Sequence, residues 1–489
     1  MEENHLVKER HEKVKKLREI GIDPYPYSFK DYTFSTQILS EHKKLKVGEK
    51  TRKTVIVMGR LMTLRDMGKV AFGHVQDQEG QIQIYVREED LKNYAVFKLL
   101  DLGDIIGVKG TVFKTNKGEV TVWAKECTLL AKSLHPLPDK FHGLQDPEIR
   151  FRQREVDLIA NPDVKRTFLL RSRIISAMRE FLDNKGFVEV EIPTLQPVYG
   201  GANARPFKTH INAWNMDLYL SVSPELYLKR LIVGGYEKVY TICKNFRNEG
   251  VDKTHNPEFT TMECYWSGAD YNDMMDMTEE LYEYACKKVL GTTDVEYQGK
   301  RISFKKGWKR ITMYEALKKY GQVDVQKLSE KELLALLDKH KVDYNPKLMT
   351  RGLSIALLFE AVCEGQLIQP TFVTDYPKDT SPLCKLKRGN SELIERFEPY
   401  INGWEVGNAY SELTDPVLQR KLFDEQVERG RGGDEEAHQK DEDFLRAVEF
   451  GLPPTGGLGL GVDRMVMLLT NAATIREVIL FPTMKPEQR

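Results

Sequence analysis

Phe246-Arg247-Asn248-Glu249, then His255-Asn256-Pro257-Glu258-Phe259, and far downstream Gly456-Gly457-Leu458-Gly459-Leu460-Gly461-Val462-Asp463-Arg464, decide how the larger part of this chain is read. On a strand, residues i and i+2 share a face, so Arg247 projects with Glu249. On the returning strand Phe259, Thr261, Glu263 and Tyr265 line up in the same way. One face of a hairpin therefore carries the chemistry, and the loop between its arms holds the polar run Asp252 to Asn256. An arginine on a phosphate contributes about 1.5 to 3 kcal/mol, and a base stacked on an aromatic ring about 1 to 3 kcal/mol. Both suit a nucleoside triphosphate. The downstream segment sets Arg464 at a glycine-rich start to a helix expected over 463–470, where bare backbone can approach a ligand closely. A dinucleotide fold would need a buried strand ahead of these glycines and a third glycine where Arg464 stands; instead Leu452-Pro453-Pro454-Thr455 precedes them. No Gly-x-x-x-x-Gly-Lys-Ser/Thr run occurs.

Outward from this core the chain divides. Residues 1–50 read as a helical and polar extension, with a charged helix over 8–20 stopped by Pro24 and Pro26. Val55–Gly59, Val70–Val75, Gln81–Val86, Ile105–Val112 and Glu119–Ala124 read as strands, alternating or β-branched between Gly-containing turns. Five short strands within 51–135 predict an OB-fold, a five-stranded β-barrel whose exposed face commonly binds single-stranded nucleic acid. Residues 136–150, beginning His135-Pro136-Leu137-Pro138, read as a linker, and 151–489 as one larger domain. In that domain a helix over 162–185 carries Phe168, Ile174, Ile175, Met178, Phe181 and Leu182 at helical spacing, then stops at Gly186. A strand from Phe187 to Ile192 ends at Pro193, and a polar, helical insertion is expected at about 300–370.

The sequence has 489 residues, enough for more than one core, and 73 basic against 73 acidic side chains. That balance excludes a protein that coats nucleic acid indiscriminately, since such binding scales with the phosphates neutralised. A basic lean over 1–60 and an acidic one over 424–449 read as local patches or solvated helix faces. No apolar run of membrane-spanning length occurs, and Met1-Glu2-Glu3-Asn4 does not open a secretory leader, so a cytoplasmic protein is expected. The six cysteines lie far apart without a Cys-x-x-Cys pair, which predicts reduced, buried thiols rather than a zinc site.

The hairpin and the glycine-rich segment resemble motifs 2 and 3 of the class II aminoacyl-tRNA synthetases. The helix, strand and proline through Pro193 resemble motif 1, and the match looks closest to the lysyl-tRNA synthetases. The resemblance implies an α+β chain, an OB-fold β-barrel followed by a class II synthetase catalytic domain with an antiparallel sheet flanked by helices. It implies ATP, L-lysine and lysine tRNA as partners, no membrane, and a homodimer through 162–193. Arg247, Glu249 and Arg464 would be catalytic: Arg247 on the α-phosphate, Glu249, His255 and Asn256 near the adenylate, Phe259 beneath adenine, and Arg464 on the γ-phosphate, with Gly461 and Glu405 completing the ATP site. Glu398 and Glu405 match the family's Mg²⁺-binding pair. If 404–412 is one strand, Glu405 faces away from Asn408 and Glu412, so Gly407 is expected to mark a bulge or twist.

Glu225, Glu263 and Glu412 make this region acidic for a polyphosphate site, and acids there predict a cationic ligand, because a buried unpaired ammonium costs several kcal/mol. By resemblance Glu412 and Tyr265 take the ε-ammonium, Glu225 and the Gly201 backbone the α-ammonium, and Asn408 with Arg247 the carboxylate, supported by Glu263. An aspartate-specific enzyme would need basic side chains at the substrate's tip, and none is evident in these segments. Arg60, Phe72, Gln83 and Glu126 match the family's anticodon-binding positions. His74 shares the Phe72 face, where it either joins them or fills the barrel. A relative that lysylates a translation factor would lack the barrel, and a non-catalytic relative would have lost Arg247, Glu405 or Arg464.

Overall fold

A computed structural model of the chain describes residues 5–138, 144–434 and 436–487. It contains two compact units, residues 1–145 and 146–489. Part of the expected linker, 139–143, lies outside the described residues.

In the first unit five strands, β1 (Lys50–Asp66), β2 (Val70–Gln76), β3 (Gln81–Arg87), β4 (Ile105–Lys114) and β5 (Val120–Ala131), close into a barrel in the order β1-β2-β3-β5-β4. Strict alternation drives the closure: Ala71, Val75, Ile82, Ile84 and Val86 point inward, and the residues between them point out. The N-terminal extension belongs to this unit. Leu17 of the helix His5–Glu19 and Ile38 of the helix Ser35–Glu41 join the barrel's core. The Arg10 guanidinium donates to the carbonyls of Leu102, Ser133 and His135 at 2.8 to 3.0 Å, which ties that helix to the barrel's end.

The second unit is built on one large sheet. Its main path runs through β6 (Val188–Glu189), β7 (Lys238–Phe246), β8 (Glu258–Ser267), β9 (Lys309–Thr312), β10 (Thr371–Pro377), β11 (Asn390–Ile401), β12 (Gly407–Ser411) and β13 (Thr455–Gly461), and two further short strands, Leu386–Lys387 and Trp404–Glu405, pair with β11. The order along that path is β9-β10-β11-β12-β13-β8-β7-β6, antiparallel through the centre, with parallel pairs only at the two edges. The helices Pro162–Asn184, Tyr271–Leu290 and Val462–Thr470 bury Met178, Leu281 and Met465 in one core. A second core lies under Glu225–Val233 and Arg351–Val362.

Three expectations need correction. The region 300–370 is not only a helical insertion, because Lys309–Thr312 is an edge strand of the main sheet and Ile355, Leu358 and Phe359 are core residues. The strand expected from Phe187 to Ile192 is shorter, pairing at Val188 and Glu189 with one further bond from the Val190 N–H to the Tyr240 carbonyl at 2.9 Å. The glycines expected at a helix start form the central strand β13, with Gly461 capping the helix, which begins at Val462 rather than 463.

Candidate active site

The site face of the sheet is organised around β13. Gly459 lies between Glu263 of β8 and Asn408 of β12, and Gly457 between Tyr265 and Tyr410. Leu458 and Leu460 alternate to the core side. Absent side chains on one strand thus form a floor walled by large polar residues on its neighbours. A methyl group at 457 would overlap Oε1 of Glu412 and stand 2.7 Å from Cε1 of Tyr265. The resulting cavity holds about 370 Å³ and brings together Gly201, Glu225, Arg247, Glu249, His255, Asn256, Phe259, Glu263, Tyr265, Glu398, Glu405, Asn408, Glu412, Gly461 and Arg464.

Glu405 shares the cavity with Asn408 and Glu412 because of a bulge. Tyr400 pairs with Glu405, whereas Arg396 pairs with Tyr410, so the register against β11 slips by one residue between them. Gly407 sits at that slip, as the expected twist requires, and a Cβ there would meet the Gly459 carbonyl oxygen at 2.7 Å.

At the Arg247 end of the cavity, β7 stops at Phe246, so Arg247 and Glu249 lie past the strand and their common orientation does not come from strand alternation. Arg247 still pairs through its backbone N–H with the Pro257 carbonyl at 2.9 Å, and its guanidinium lies 5.1 Å from the Phe259 ring centroid. Its buried Nε has no partner, and neither has Oδ1 of Asn256. Arg464 donates to Oε2 of Glu405 at 3.1 Å and lies 3.1 Å from Nε2 of His255, whose Nδ1 meets Asp252. Asp463, to which no role was given from sequence, joins the three motifs. Its carboxylate accepts from the Thr260 backbone N–H at 2.7 Å and from Arg171 of the helix Pro162–Asn184 at 2.5 Å.

Glu398 accepts from Arg396 at 2.5 Å, Tyr376 at 2.7 Å and Tyr400 at 2.6 Å. Behind the pair Glu398 and Glu405 stand Glu360 and Glu364, whose carboxyls are pushed up to about 7, first by burial and then by the neighbouring carboxylates. Burial also raises Glu405, with Arg464 opposing. Four acids thus face three guanidiniums, Arg247, Arg396 and Arg464, and a cluster with more acids than bases suits a cation. No group of three or more His, Cys, Asp or Glu among the described residues could hold a metal by itself. Mg²⁺ needs none, since it binds through one or two carboxylates plus substrate phosphates.

At the other end Glu225, Glu263 and Glu412 are all buried. Burial, and then the charge of Glu225, push Glu263 up to about 8, although Ser223 donates to it at 3.2 Å and Tyr265 at 3.3 Å. Glu412 is raised well above the ordinary carboxyl range by burial and by Glu225 and Glu263, against the pull of Lys229. Lys229, which lies outside the segments read for this pocket, does not line the cavity but stands buried behind its carboxylates. It stands one helical turn after Glu225, fully buried, donates to Oε1 of Glu225 at 2.5 Å and pairs with Oε2 of Glu412. Helical spacing from Glu225 was the available signal. Even with Lys229 present, the carboxyls of Glu263 and Glu412 remain short of positive charge.

On the barrel, Phe72, His74 and Gln83 form one outward patch. Phe72 packs on Tyr85 at 4.9 Å, and His74 lies opposite Gln83 across β2 and β3. His74 does not fill the barrel: it reaches Glu119 at 3.0 Å and Thr63 at 2.8 Å. Arg60 stands opposite Gln76 and donates to the Gly103 carbonyl at 2.6 Å, while Glu126 lies on β5 opposite Lys109. No described helix is long and apolar enough to cross a membrane.

Comparison with known proteins agrees with both units. Residues 146–485 match the family model described as tRNA synthetases class II (D, K and N), and residues 55–130 match the OB-fold nucleic acid binding domain. The chain is 51% identical to a lysine--tRNA ligase of Clostridium novyi over 491 residues, covering 99% of this chain and 95% of the relative. It is 52% identical over 485 residues to the lysine--tRNA ligase of Carboxydothermus hydrogenoformans, covering 99% and 98%. It is 51% identical over 490 residues to that of Pelotomaculum thermopropionicum, covering 99% and 96%. A central glycine strand walled by carboxylates, a motif 2 hairpin bound through Asp463 to motifs 1 and 3, and likeness over the full length lead to one assignment: the chain belongs to the class II tRNA synthetases, in the lysine--tRNA ligase family.

Proposed function

We propose that the chain activates L-lysine with ATP to lysyl-adenylate and transfers the lysyl group to the 3′ end of lysine tRNA. The observation that carries the choice of amino acid is three buried carboxyls, Glu225, Glu263 and Glu412, set against one ammonium, with Oε1 of Glu412 left without a partner, in a cavity that also holds a phosphate-directed arginine. A substrate with two ammonium groups and one carboxylate meets that imbalance. Asparagine or aspartate does not, because Lys229, the ammonium buried behind Glu225 and Glu412, is already engaged by both carboxylates.

In the first step the lysine carboxylate attacks the α-phosphorus in line and pyrophosphate leaves. The substrate carboxylate is already ionised, so no protein base is required and catalysis is positioning plus electrostatics. Arg247 holds the α-phosphate, Phe259 stacks under adenine, Glu249, His255 and Asn256 border the adenylate, and Arg464 meets the γ-phosphate beside Gly461. To do so Arg247 leaves the Phe259 face that it covers in this structure. Tyr265 and Glu412 receive the ε-ammonium, Glu225 and the Gly201 backbone the α-ammonium, and Asn408 with Arg247 the carboxylate, with Glu263 behind them. Glu398 and Glu405 would hold Mg²⁺, which supplies charge neutralisation on the phosphates when bound. In the second step the terminal ribose hydroxyl of the tRNA attacks the adenylate carbonyl, and AMP leaves.

Arg60, Phe72, Gln83 and Glu126 read the anticodon by stacking and edge hydrogen bonds, with His74 beside them. The working molecule is a cytoplasmic homodimer joined through 162–193, a reading supported by exposed Leu169 and Val188 in that region. The test is pyrophosphate exchange into ATP with Mg²⁺, run on each amino acid separately without tRNA. Exchange confined to lysine is expected, and exchange with asparagine or aspartate would overturn the assignment.

A further inference from the structure

Lys229 stands behind the wall of this cavity, against two of the carboxylates that line it. Its side chain is almost wholly removed from solvent, at 1% exposure, and it lies 5.4 Å from the Tyr410 ring centroid and 5.9 Å from that of Phe444. Burial disfavours its ammonium, but the charges of Glu225 and Glu412 more than compensate and hold it raised above the ordinary lysine range. Fold stability alone does not account for such a group, because replacing a buried ion pair by well-packed apolar residues is often neutral or stabilising.

The arrangement of oxygens is unequal. Each oxygen of Glu225 already accepts from one donor, Oε1 from Lys229 at 2.5 Å and Oε2 from the Tyr410 hydroxyl at 2.5 Å, and keeps one further lone pair for the α-ammonium. Glu412 meets Lys229 through Oε2 alone, and Oε1 is buried, without a partner, at the place that the missing side chain of Gly457 leaves open. We propose that Lys229 is a positioning residue for the amino-acid side chain: by taking one oxygen from each of Glu225 and Glu412, it leaves Oε1 of Glu412 as the acceptor offered to the substrate's ε-ammonium. The inference rests on the lysine-activating function above. It also gives the inner wall two carboxylates against one fixed ammonium, which leaves a deficit that one ε-ammonium fills.

Lys229→Met keeps most of the stem and removes the charge. Glu225 and Glu412 then stand together with Glu263, Tyr265, Tyr410, His438 and Arg247 around them and no fixed ammonium between them. The buried carboxyls retain a proton that incoming lysine must expel. In the full-length enzyme, exchange kinetics should show the Michaelis constant for lysine raised about tenfold or more near neutral pH, with that for ATP within about threefold of the parent. The ratio of variant to parent lysine constants should fall as pH rises from about 6.5 to 8.5, because hydroxide removes the retained proton. Equal rises for ATP and lysine would assign Lys229 a structural role only and overturn the proposal, as would an unmoved lysine constant. Should Lys229→Met not fold, Lys229→Arg takes its place. A planar fork cannot hold the two carboxylates in the same orientation, so its lysine constant must also rise selectively, and parent-like kinetics would overturn the proposal. A parent that exchanges with no amino acid, or with one other than lysine, defeats the functional reading itself. A lysine-specific parent with unmoved variants defeats only the role of Lys229.

Discussion

At the scale of single residues, this site is a problem of unmatched charge. Glu263 has its carboxyl lifted from the ordinary 4.5 to about 8, by burial first and by Glu225 second. Below pH 4.5 the group is protonated in both folded and unfolded chains and costs nothing. As pH rises from there toward 8 only the unfolded chain ionises freely, so this residue's contribution to stability is lost across that window. A bound ammonium reverses the preference, which predicts that lysine binding near pH 7 releases protons. Calorimetry in buffers of different ionisation enthalpy measures that release, and Glu263→Gln should diminish it; equal release by variant and parent would assign the proton elsewhere. Arg247 poses the opposite case, a cation whose buried Nε has no partner until a ligand arrives. Arg247→Ala should slow adenylate formation by about 10² to 10³, since it removes a preorganised charge that meets the transition state. Near-normal pyrophosphate exchange would refute that role. Glu225, Glu263 and Glu412, far apart in the sequence, come together in one cavity where the motif resemblance placed them. Lys229 was not legible, because a basic residue on an apolar helix reads as solvated until the neighbouring strand is seen to bring Glu412 against it.

At the scale of elements, the glycine strand does most to shape the cavity. The sequence marks its glycines only as the start of a helix and not as a strand, and the reason is physical: glycine is disfavoured in strands, so a run of it gives no strand signal. What overrides propensity is the pair of neighbours. Tyr265 and Tyr410 flank Gly457, and Glu263 and Asn408 flank Gly459, so side chains on β13 would fill the space that these residues enclose. The bulge at Gly407 was legible for a complementary reason. Strand parity alone would have sent Glu405 to the wrong face, and a required glycine stood where the parity had to change. Gly457→Ala tests the floor directly. Its Cβ would collide with Oε1 of Glu412, so lysine-dependent exchange should fall by about tenfold or more, while the shift of melting temperature with ATP stays close to the parent's. Undiminished lysine exchange would mean that Glu412 does not border the amino acid.

At the scale of the whole molecule, two compact units with separate cores divide the work. The barrel's core closes on itself and takes in the N-terminal helices, and the catalytic sheet is packed by its own helices. Both units were legible because each follows a simple period, alternation in the barrel and helical spacing in Pro162–Asn184. The stretch 300–370 was not, because its edge strand is only four residues long and pairs in parallel with a strand that begins at Thr371. Separate cores imply separable defects. Phe72 lies on the barrel's outer surface against Tyr85 and takes no part in closing it, so Phe72→Ala should leave the barrel folded. A lost base stack is worth about 1 to 3 kcal/mol. That range converts to a rise of about fivefold to a hundredfold in the Michaelis constant for lysine tRNA, measured by aminoacylation, with amino-acid activation unchanged. A charging rate that does not move would place the RNA on another face of the barrel. Loss of activation together with charging would show instead that the two units do not act separately.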